Sequence, residues 1–393
     1  MKNIQRLELP AAADMHVHLR QGELMDLVVP TVRKGGVDTA FVYGICILEQ
    51  ENVERANRRQ LECLILPNFK WSLLKLLILS VQLPPLTSVE QVLEYKSKLT
   101  AITKDVHFLM SLYLHPSITP DVIAQAAAAG ITGVKLYPQG VTTNSESGVS
   151  DITAFYDTFA AMEKHGIILN IHGEVLESLA PAGTTLEEAF LPTLKQLHER
   201  FPKLRIVLEH CTTAAAVEAV KACGPTVGAT ITAHHLYLTS HEACCDPFAF
   251  CKPIPKKPTD RDALVKAVVS GDSKFFFGSD SAPHPLQSKT SAEQGKAPAG
   301  VFTQPYVVQL VLLGLEEAIE RGVIAETDVT QEKLEGFFSR NGRRFYKLPE
   351  VSEKKIVLER KGEKIPTSVR SEDGKTEVGI SRPGAEVFSL TWA

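Results

Sequence analysis

Two histidines separated by one residue, His16 and His18, are the first sign of chemistry in this sequence. Side chains in a β-strand alternate between its faces, so both imidazoles would project to the same side and reach one metal ion. Three more potential ligands end later apolar runs: His172, His210 and Asp280. Imidazole and carboxylate groups together suit Zn²⁺ or a similar divalent ion. We predict that the first pair binds one ion, the later histidines supply a second pair, and the aspartate adds a carboxylate.

Taken singly, each of these histidines has a simpler explanation as a hydrogen-bonded core or surface residue. We keep that explanation for His107, His165, His198 and His241. It does not account for four histidines that all stand at the ends of apolar runs.

Lys135 interrupts an otherwise apolar run, GVKLYP at residues 133–138. A lysine in such a run can extend its ammonium to the rim of the fold. Burial beside two divalent cations would instead repel an ammonium strongly. A neutral amine can react with CO₂ to give a carbamate, an anion whose two oxygens can bridge two metals. The chemistry is coherent, although spacing alone does not require it.

A recurring order of elements would bring these residues together. Eight short apolar runs cover residues 7–18, 37–43, 106–115, 131–137, 166–172, 204–210, 226–235 and 274–280. Helical spacing follows at 88–102, 120–129, 151–165, 186–201 and 260–270, with Thr87 as the expected N-cap of the first and Thr119 before Pro120 opening the second. Strands that alternate with helices predict a parallel sheet, and eight such units predict an α/β fold, a (β/α)₈ TIM-type barrel. The polar residues then meet at the carboxyl ends of the strands, where active sites of this fold lie.

Composition excludes several classes of protein. The chain has 393 residues, 44% of them hydrophobic and 22% charged, which is typical of a globular protein. A formal net charge of −4 gives no basic excess for nucleic acid or an anionic membrane. Seven cysteines without a CxxC pair argue against a disulfide framework and favour a cytoplasmic location. The most apolar stretch, residues 73–83, contains Lys75 and is too short to span a membrane.

Six motifs, in this order, resemble the monofunctional dihydroorotases of the metal-dependent amidohydrolase superfamily. They are DMHVHLR at 14–20, GVKLYP at 133–138, IHGE at 171–174, LEHCTT at 208–213, ATITAHHL at 229–236 and GSDSAPH at 278–284. The HxH pair with a late aspartate marks the superfamily, and GVKLYP with DSAPH resembles dihydroorotase in particular. The resemblance extends over nearly the whole chain, which we treat as one barrel domain over residues 1–393.

The resemblance implies a role for each matching residue. His16, His18 and Asp280 would bind one Zn²⁺, His172 and His210 the second, and carboxylated Lys135 would bridge both with a hydroxide. Asp280 would also be the general acid and base. The implied substrate contacts are Arg20 and His284 for the carboxylate, His172, the backbones of Leu236 and Ala299, and Thr142 and Thr143 in a loop that closes over the site.

The implied reaction is the reversible cyclisation of N-carbamoyl-L-aspartate to dihydroorotate in pyrimidine biosynthesis. The resemblance also implies a homodimer and a small-molecule substrate. A sibling cyclic-amide hydrolase, such as a hydantoinase or allantoinase, is an alternative. A second alternative is a catalytically impaired homologue, because one part of the family pattern is disrupted.

That disruption follows the second predicted strand, where the family usually has a Met-Pro-Asn loop. Here Tyr43 follows Val42, and the pattern resumes only near Pro84-Pro85. Residues 43–82 form an atypical insert, within which Leu66-Pro-Asn68 resembles the missing tripeptide and Asn68 is a candidate substitute. The insert can be a lid or interaction helix, a tolerated and inert addition, or translated non-coding sequence from a wrong gene model. We favour the last, because both flanks match the family and the insert does not.

Sequencing the mature transcript tests this interpretation of the insert. If residues 43–82 are a retained intron, the mature message will lack the corresponding bases. A mature message that encodes the whole insert would rule the explanation out.

Overall fold

The computed structural model describes residues 1, 4–43, 85–142, 145–292 and 297–393. Apart from Tyr43, the predicted insert lies outside the described residues, including the candidate Asn68. Thr143 also lies outside them. The three explanations of the insert therefore stand as they were.

Eight parallel strands form one sheet, and their order in the sheet follows their order in the chain. They are β2 (Ala12–Val17), β3 (Val37–Val42), β4 (His107–Tyr113), β5 (Gly133–Leu136), β6 (Ile168–Ile171), β7 (Ile206–Leu208), β8 (Val227–Ile231) and β9 (Phe275–Phe277). Each lies within one of the eight apolar runs, so the predicted barrel is confirmed. The first run contains two strands, because β1 (Arg6–Pro10) joins a different sheet and the chain changes sheet at Ala11.

Backbone hydrogen bonds close the barrel between β2 and the segment after β9. Asp280 N donates to His16 O at 2.8 Å, and His18 N donates to Ser281 O at 3.1 Å. The buried carboxylate of Asp14 adds a third link, since its Oδ1 accepts a hydrogen bond from Ser279 N at 2.7 Å. The seam that closes the sheet is therefore built from the same two motifs that carry three predicted ligands.

Helices connect the strands on the outside of the barrel. They are α1 (Gly22–Lys34), α2 (Val89–Ile102), α3 (Pro120–Ala128), α4 (Tyr156–His165), α5 (Leu186–Arg200), α6 (Ala214–Ala222), α7 (Ser240–Cys245), α8 (Pro258–Val268), α9 (Leu286–Thr290), α10 (Val307–Glu320), α11 (Gln331–Glu335) and α12 (Asn341–Phe345). All five predicted helices are present. In the described part of the chain, no helix has the length and apolar character needed to cross a membrane.

The predicted start of α2 was wrong by one residue. The N-cap is Ser88, not Thr87: Ser88 Oγ accepts a hydrogen bond from Gln91 N at 3.2 Å, and Gln91 Oε1 accepts one from Ser88 N at 3.2 Å. This reciprocal pair is a capping box, which satisfies two backbone donors that a helix start leaves unpaired. Thr119 caps α3 as predicted, through Val122 N.

A second sheet joins the two ends of the chain. Strand β1 pairs with β10 (Lys355–Lys364), which pairs in turn with β13 (Glu386–Trp392), all antiparallel. Strands β11 (Ser368–Arg370) and β12 (Glu377–Gly379) form a separate hairpin. The sequence analysis assigned no element after residue 280, so these strands and the apolar helix α10 were missed.

Candidate metal centre at the barrel mouth

The predicted ligands lie at the carboxyl ends of five barrel strands. His16 is in β2 and His18 follows it, Lys135 is in β5, His172 follows β6, His210 follows β7, and Asp280 lies beyond β9. All six side chains are buried. Parallel strands end at one edge of a barrel, so residues hundreds of positions apart in the sequence come into contact there.

His16, His18 and Asp280 surround one point. His16 Nε2 and His18 Nε2 each lie 3.2 Å from Asp280 Oδ1, and the two nitrogens are 3.4 Å apart. Tetrahedral Zn²⁺ takes nitrogen and oxygen ligands at about 2.0–2.2 Å, which separates neighbouring ligand atoms by roughly 3.3–3.5 Å. The three atoms are therefore spaced as ligands of one ion.

His172 and His210 adjoin this group as a second pair. Their ring centroids are 4.7 Å apart, and the ring of His210 lies 5.2 Å from that of His16. His172 Nε2 lies 3.0 Å from Glu174 Oε2, so the nitrogen it can offer to an ion is Nδ1. A carboxylate on the far nitrogen of an imidazole fixes its orientation and tautomer for metal binding.

Lys135 lies below these residues with no polar contact. Its Nζ has no hydrogen-bond partner among the described residues, and it faces the rings of Tyr43 and Tyr137, with 4.8 and 5.1 Å to their centroids. Burial lowers the pKa of Lys135 to about 8, although Glu209 and Asp280 partly oppose the shift. A buried amine with a substantial neutral fraction and no partner fits the predicted carbamate, whose oxygens would face the histidines.

The protonation states also suit metal binding. Burial lowers the pKa of His18 to about 4 and lowers the pKa values of His172 and His210, which keeps these three rings neutral as ligands must be. The pKa of His16 is raised instead, because the carboxylates of Asp280 and Glu209 outweigh burial and the nearby Lys135. Burial would raise the pKa of Asp280, but the neighbouring imidazoles of His16 and His18 outweigh it and hold that pKa well below its usual value. Asp280 is therefore a carboxylate at neutral pH.

Three residues at the barrel mouth have a strained backbone conformation. Arg20, His210 and Asp280 have φ angles of 59°, 42° and 44°, in the left-handed region that residues other than glycine rarely adopt. Such conformations persist only where surrounding contacts hold them, and they concentrate at functional sites. No feature of the sequence indicated them.

A cavity above the cluster contains most of the predicted substrate contacts. Its lining includes Arg20, Thr142, His172, His284 and Ala299. Leu236 is buried beside the barrel and is not part of this lining, and its backbone N–H already donates to Ala233 O at 3.1 Å.

Arg20 and His284 contact each other at the cavity wall. Arg20 Nε donates to Pro283 O at 2.8 Å, and Nη2 lies 3.3 Å from His284 Nε2. The same His284 nitrogen is 2.9 Å from Ala299 O, and one tautomer can make only one of these two hydrogen bonds. Tyr95, on α2, contacts the backbone of this arginine, since its hydroxyl donates to Arg20 O at 2.6 Å.

Glu209 is a site residue that the sequence analysis missed. This fully buried carboxylate lies 2.8 Å from His16 Nδ1 and accepts a hydrogen bond from Thr230 at 2.5 Å on the same oxygen. Its other oxygen accepts hydrogen bonds from the Tyr43 hydroxyl at 2.6 Å and the Asn170 amide at 2.7 Å. Its position directly before His210, in the motif LEHCTT, was the available signal.

Lys252 is a second residue that the analysis missed. It lines the cavity, and its Nζ donates to Val141 O at 2.9 Å. This bond ties the loop that carries Thr142 to the segment after α7.

Comparisons with known proteins identify the family to which this chain is similar. The amidohydrolase family model matches residues 115–348. A probable dihydroorotase from Schizosaccharomyces pombe is 46% identical over 367 residues, which cover 93% of this chain and 94% of that protein.

Comparisons with solved structures also show the amidohydrolase barrel fold. The crystal structure of dihydroorotase from Saccharomyces cerevisiae in complex with 5-fluoroorotic acid superposes with a TM-score of 0.81 and 37% identity, covering 99% of both chains. The L-hydantoinase from Arthrobacter aurescens has a TM-score of 0.70 at 16% identity over 98% of this chain and 83% of that one, a likeness of fold alone.

Glu209→Gln tests whether this carboxylate positions His16. An amide cannot accept all four hydrogen bonds, so we expect the affinity for the first metal to fall about 10–100-fold, as chelator competition would measure. We expect kcat to fall with little change in KM.

Glu187→Gln is the matched control. Glu187 is also buried but accepts hydrogen bonds from Thr212 and Thr213, and no imidazole is among its hydrogen-bond partners in the described ranges. If Glu209→Gln lowered only thermal stability and kept normal metal affinity, its role would be structural.

Proposed function

Because this chain belongs to the dihydroorotases of the amidohydrolase family, we propose that its barrel mouth catalyses the reversible cyclisation of N-carbamoyl-L-aspartate to (S)-dihydroorotate and water. One observation carries the proposal: four histidines, Lys135 and Asp280 converge at one end of the barrel, beside a cavity lined by Arg20. The reaction needs an activated water and a site for a substrate carboxylate, and this arrangement offers residues for both.

The donor set suits two Zn²⁺ ions. His16, His18 and Asp280 would hold one, His172 and His210 the other, and the carbamate of Lys135 would reach both. When bound, such a pair supplies a water of lowered pKa and polarises the carbonyl under attack. The support from this chain is the close spacing of the first three ligands and the buried, unpartnered amine of Lys135.

Asp280 would carry the proton. As a carboxylate it can accept the proton of the attacking water in the hydrolytic direction and deliver it to the ring nitrogen as the amide C–N bond breaks. In the biosynthetic direction the protonated form would donate to the departing hydroxyl when the ring closes. Its low pKa favours the accepting form at neutral pH.

Arg20 and His284 would bind the substrate carboxylate. The Nε of Arg20 is already bonded to Pro283 O, so its terminal nitrogens are the ones that can meet a carboxylate. Burial and the neighbouring Arg20 keep the pKa of His284 well below its usual value, so this ring would act as a neutral hydrogen-bond donor. Ala299, Leu236, Thr142 and Thr143 would contact the ring or close over it.

The proposal extends to domain organisation, oligomeric state, location and the kind of substrate. We propose that residues 1–393 act as one domain, that the protein is a cytoplasmic homodimer, and that its partner in catalysis is a small molecule. The cysteines in the described ranges are free, as a reducing compartment favours.

A catalytically impaired homologue is the second candidate, because Tyr43 stands where the family's Met-Pro-Asn loop begins. Assays of the purified chain with dihydroorotate, with and without Zn²⁺, separate the two. Turnover supports dihydroorotase; no turnover despite two bound metals supports the impaired homologue. Turnover of hydantoin alone would instead indicate a sibling hydrolase.

His16→Ala and Asp280→Ala are each expected to lower kcat by roughly 10³-fold or more, because one removes a metal ligand and the other also removes the proton carrier. His165→Ala, which alters an exposed histidine at the end of α4, is the control and should match the unaltered chain. Near-normal turnover of either site variant would contradict the assigned roles.

Reconstitution of metal-free protein tests the carbamate. Only the neutral amine of Lys135 reacts with CO₂, and its pKa of about 8 means that the neutral fraction grows as the pH rises towards that value. We therefore expect Zn²⁺ uptake to need bicarbonate and to become faster between neutral pH and about 8.

Lys135→Ala should lose metal in these experiments and regain part of it with added short carboxylic acids. Full metal content of that variant without any acid would contradict a carbamate bridge.

A further inference from the structure

A second group of potential metal ligands lies beside the predicted catalytic residues and is not used by them. His234 and His235 are in the 3₁₀ turn His234–Leu236 after β8, and Cys251 follows α7. One ligand atom from each lies within 4.8 Å of the other two, and all three residues are buried. The ligand atoms of the predicted catalytic trio His16, His210 and Asp280 also lie within 4.8 Å of one another.

His234 is the unusual member of this group, because its buried ring nitrogens lack hydrogen-bond partners among the described residues. Its ring is fully buried, and neither ring nitrogen has a hydrogen-bond partner among the described residues. A neutral imidazole has one N–H donor and one lone pair, and proteins rarely bury either without a partner. An ion bound to one of these nitrogens would account for a histidine at this position, where an apolar side chain would otherwise cost less.

We propose that His234, His235 and Cys251 form a third metal site, for Zn²⁺ or another borderline-soft ion, separate from the catalytic pair. Two imidazoles and a thiolate are a donor set that Zn²⁺ takes in proteins. No ligand of the proposed catalytic pair is a cysteine, so the thiolate also sets the site apart chemically.

The spacing of the donor atoms supports a tetrahedral site. His235 Nε2 lies 3.9 Å from Cys251 Sγ and 3.1 Å from Pro253 O, and Cys251 Sγ lies 3.5 Å from the same carbonyl. Ligands at about 2.0–2.3 Å from a tetrahedral ion lie roughly 3.3–3.7 Å apart. These three atoms can therefore occupy three corners, and a nitrogen of His234, which lies within 4.8 Å of the His235 and Cys251 donor atoms, would move inwards to take the fourth.

Hydrogen bonding alone is the competing explanation for His235. Its Nδ1 is 2.8 Å from Thr232 Oγ1, and in the ion-free state its Nε2–H can donate to Pro253 O. This explanation leaves His234 and the approach of Cys251 unaccounted for. When the ion binds, the ring proton would move to Nδ1, where Thr232 Oγ1 can accept it, and the thiol proton would go to solvent.

The ion-free cluster is neutral. Burial lowers the pKa of His235 to about 4, lowers that of His234 well below its usual value, and raises that of the Cys251 thiol. Metal binding would then release one proton, from the thiol. Cys251 also lines the catalytic cavity, so an ion can reach the site through the barrel mouth.

The position of the site indicates what it would stabilise. An ion there would join the turn His234–Leu236 to the segment that contains Lys252. That lysine holds the backbone of Val141 in the loop over the cavity, and Leu236 is a predicted substrate contact. The site would thus fix the turn that contains Leu236 relative to the cavity wall at Lys252.

Titration of the metal-free full-length protein with Co²⁺ tests the proposal. A cobalt–thiolate bond gives a charge-transfer band in the near ultraviolet that histidine, carboxylate and carbamate ligands do not give. We expect three equivalents of Co²⁺ and this band, and we expect Cys251→Ser to lose the band and one equivalent while the other two remain.

Two controls address three of the other six cysteines. Cys211→Ser alters an equally buried thiol that contacts Leu208 O, and it should keep the band. The double variant Cys244→Ser/Cys245→Ser removes two exposed thiols whose sulfurs are 3.0 Å apart, the alternative place for a cobalt–thiolate bond. Loss of the band in that variant would overturn the proposal, as would two equivalents without a band in the unaltered chain.

His234→Leu keeps the test decisive if Cys251→Ser does not fold. With chelator present, this substitution should leave the melting temperature unchanged or raised, because it removes two unpaired buried nitrogens. With Co²⁺ it should lack the third equivalent, and retention of that equivalent would overturn the proposal. Neither readout depends on turnover, so an inactive protein that shows the band would refute the proposed reaction and leave this site intact.

Discussion

The barrel mouth depends on one constraint: its charged and polar groups are buried, and a buried charge costs free energy unless other groups pair with it. Glu209 meets this constraint from below, with its two oxygens in contact with Tyr43, Asn170, Thr230 and His16. Four partners offset the cost of burying a carboxylate, which would otherwise neutralise itself. Its pKa is lowered accordingly, because the His16 and Lys135 charges and the hydrogen bonds outweigh burial. Its charge in turn fixes one nitrogen of His16 and directs the other to Asp280.

The contacts that close the barrel also bring the predicted ligands together. Hydrogen bonds between β2 and the segment after β9 join His16 to Asp280 through the backbone, while their side chains meet above. The left-handed φ of Asp280 turns its carboxylate into the mouth. Strand pairing therefore supplies the stability that holds a strained residue in position, and misregister at this seam would separate the ligands.

The sequence predicted the features that follow from local patterns of residues, but not those that arise only from contacts between distant segments. Apolar runs with polar ends gave the eight strands and the shared location of His172, His210 and Asp280, since parallel strands must end at one edge. Glu209 was missed because its position directly before His210 indicates a place near the site but not a partner, and only the fold brings its carboxylate to His16. The second sheet was missed because β1 and β10 are paired across nearly the whole chain, and no local pattern indicates such a pairing.

Tyr43 lies between the predicted metal ligands and the loop in which the family usually binds substrate. Its hydroxyl donates to Glu209 at 2.6 Å and its ring covers Lys135, so it belongs to the support beneath the ligands. It also occupies the position from which the family's substrate-binding loop departs. The predicted metal ligands therefore need the chain as far as Tyr43, whereas the substrate contact that the resemblance implies needs the residues that follow it. A chain altered after this strand can therefore keep every metal ligand in place and still bind its substrate differently, because the two functions depend on opposite sides of one residue.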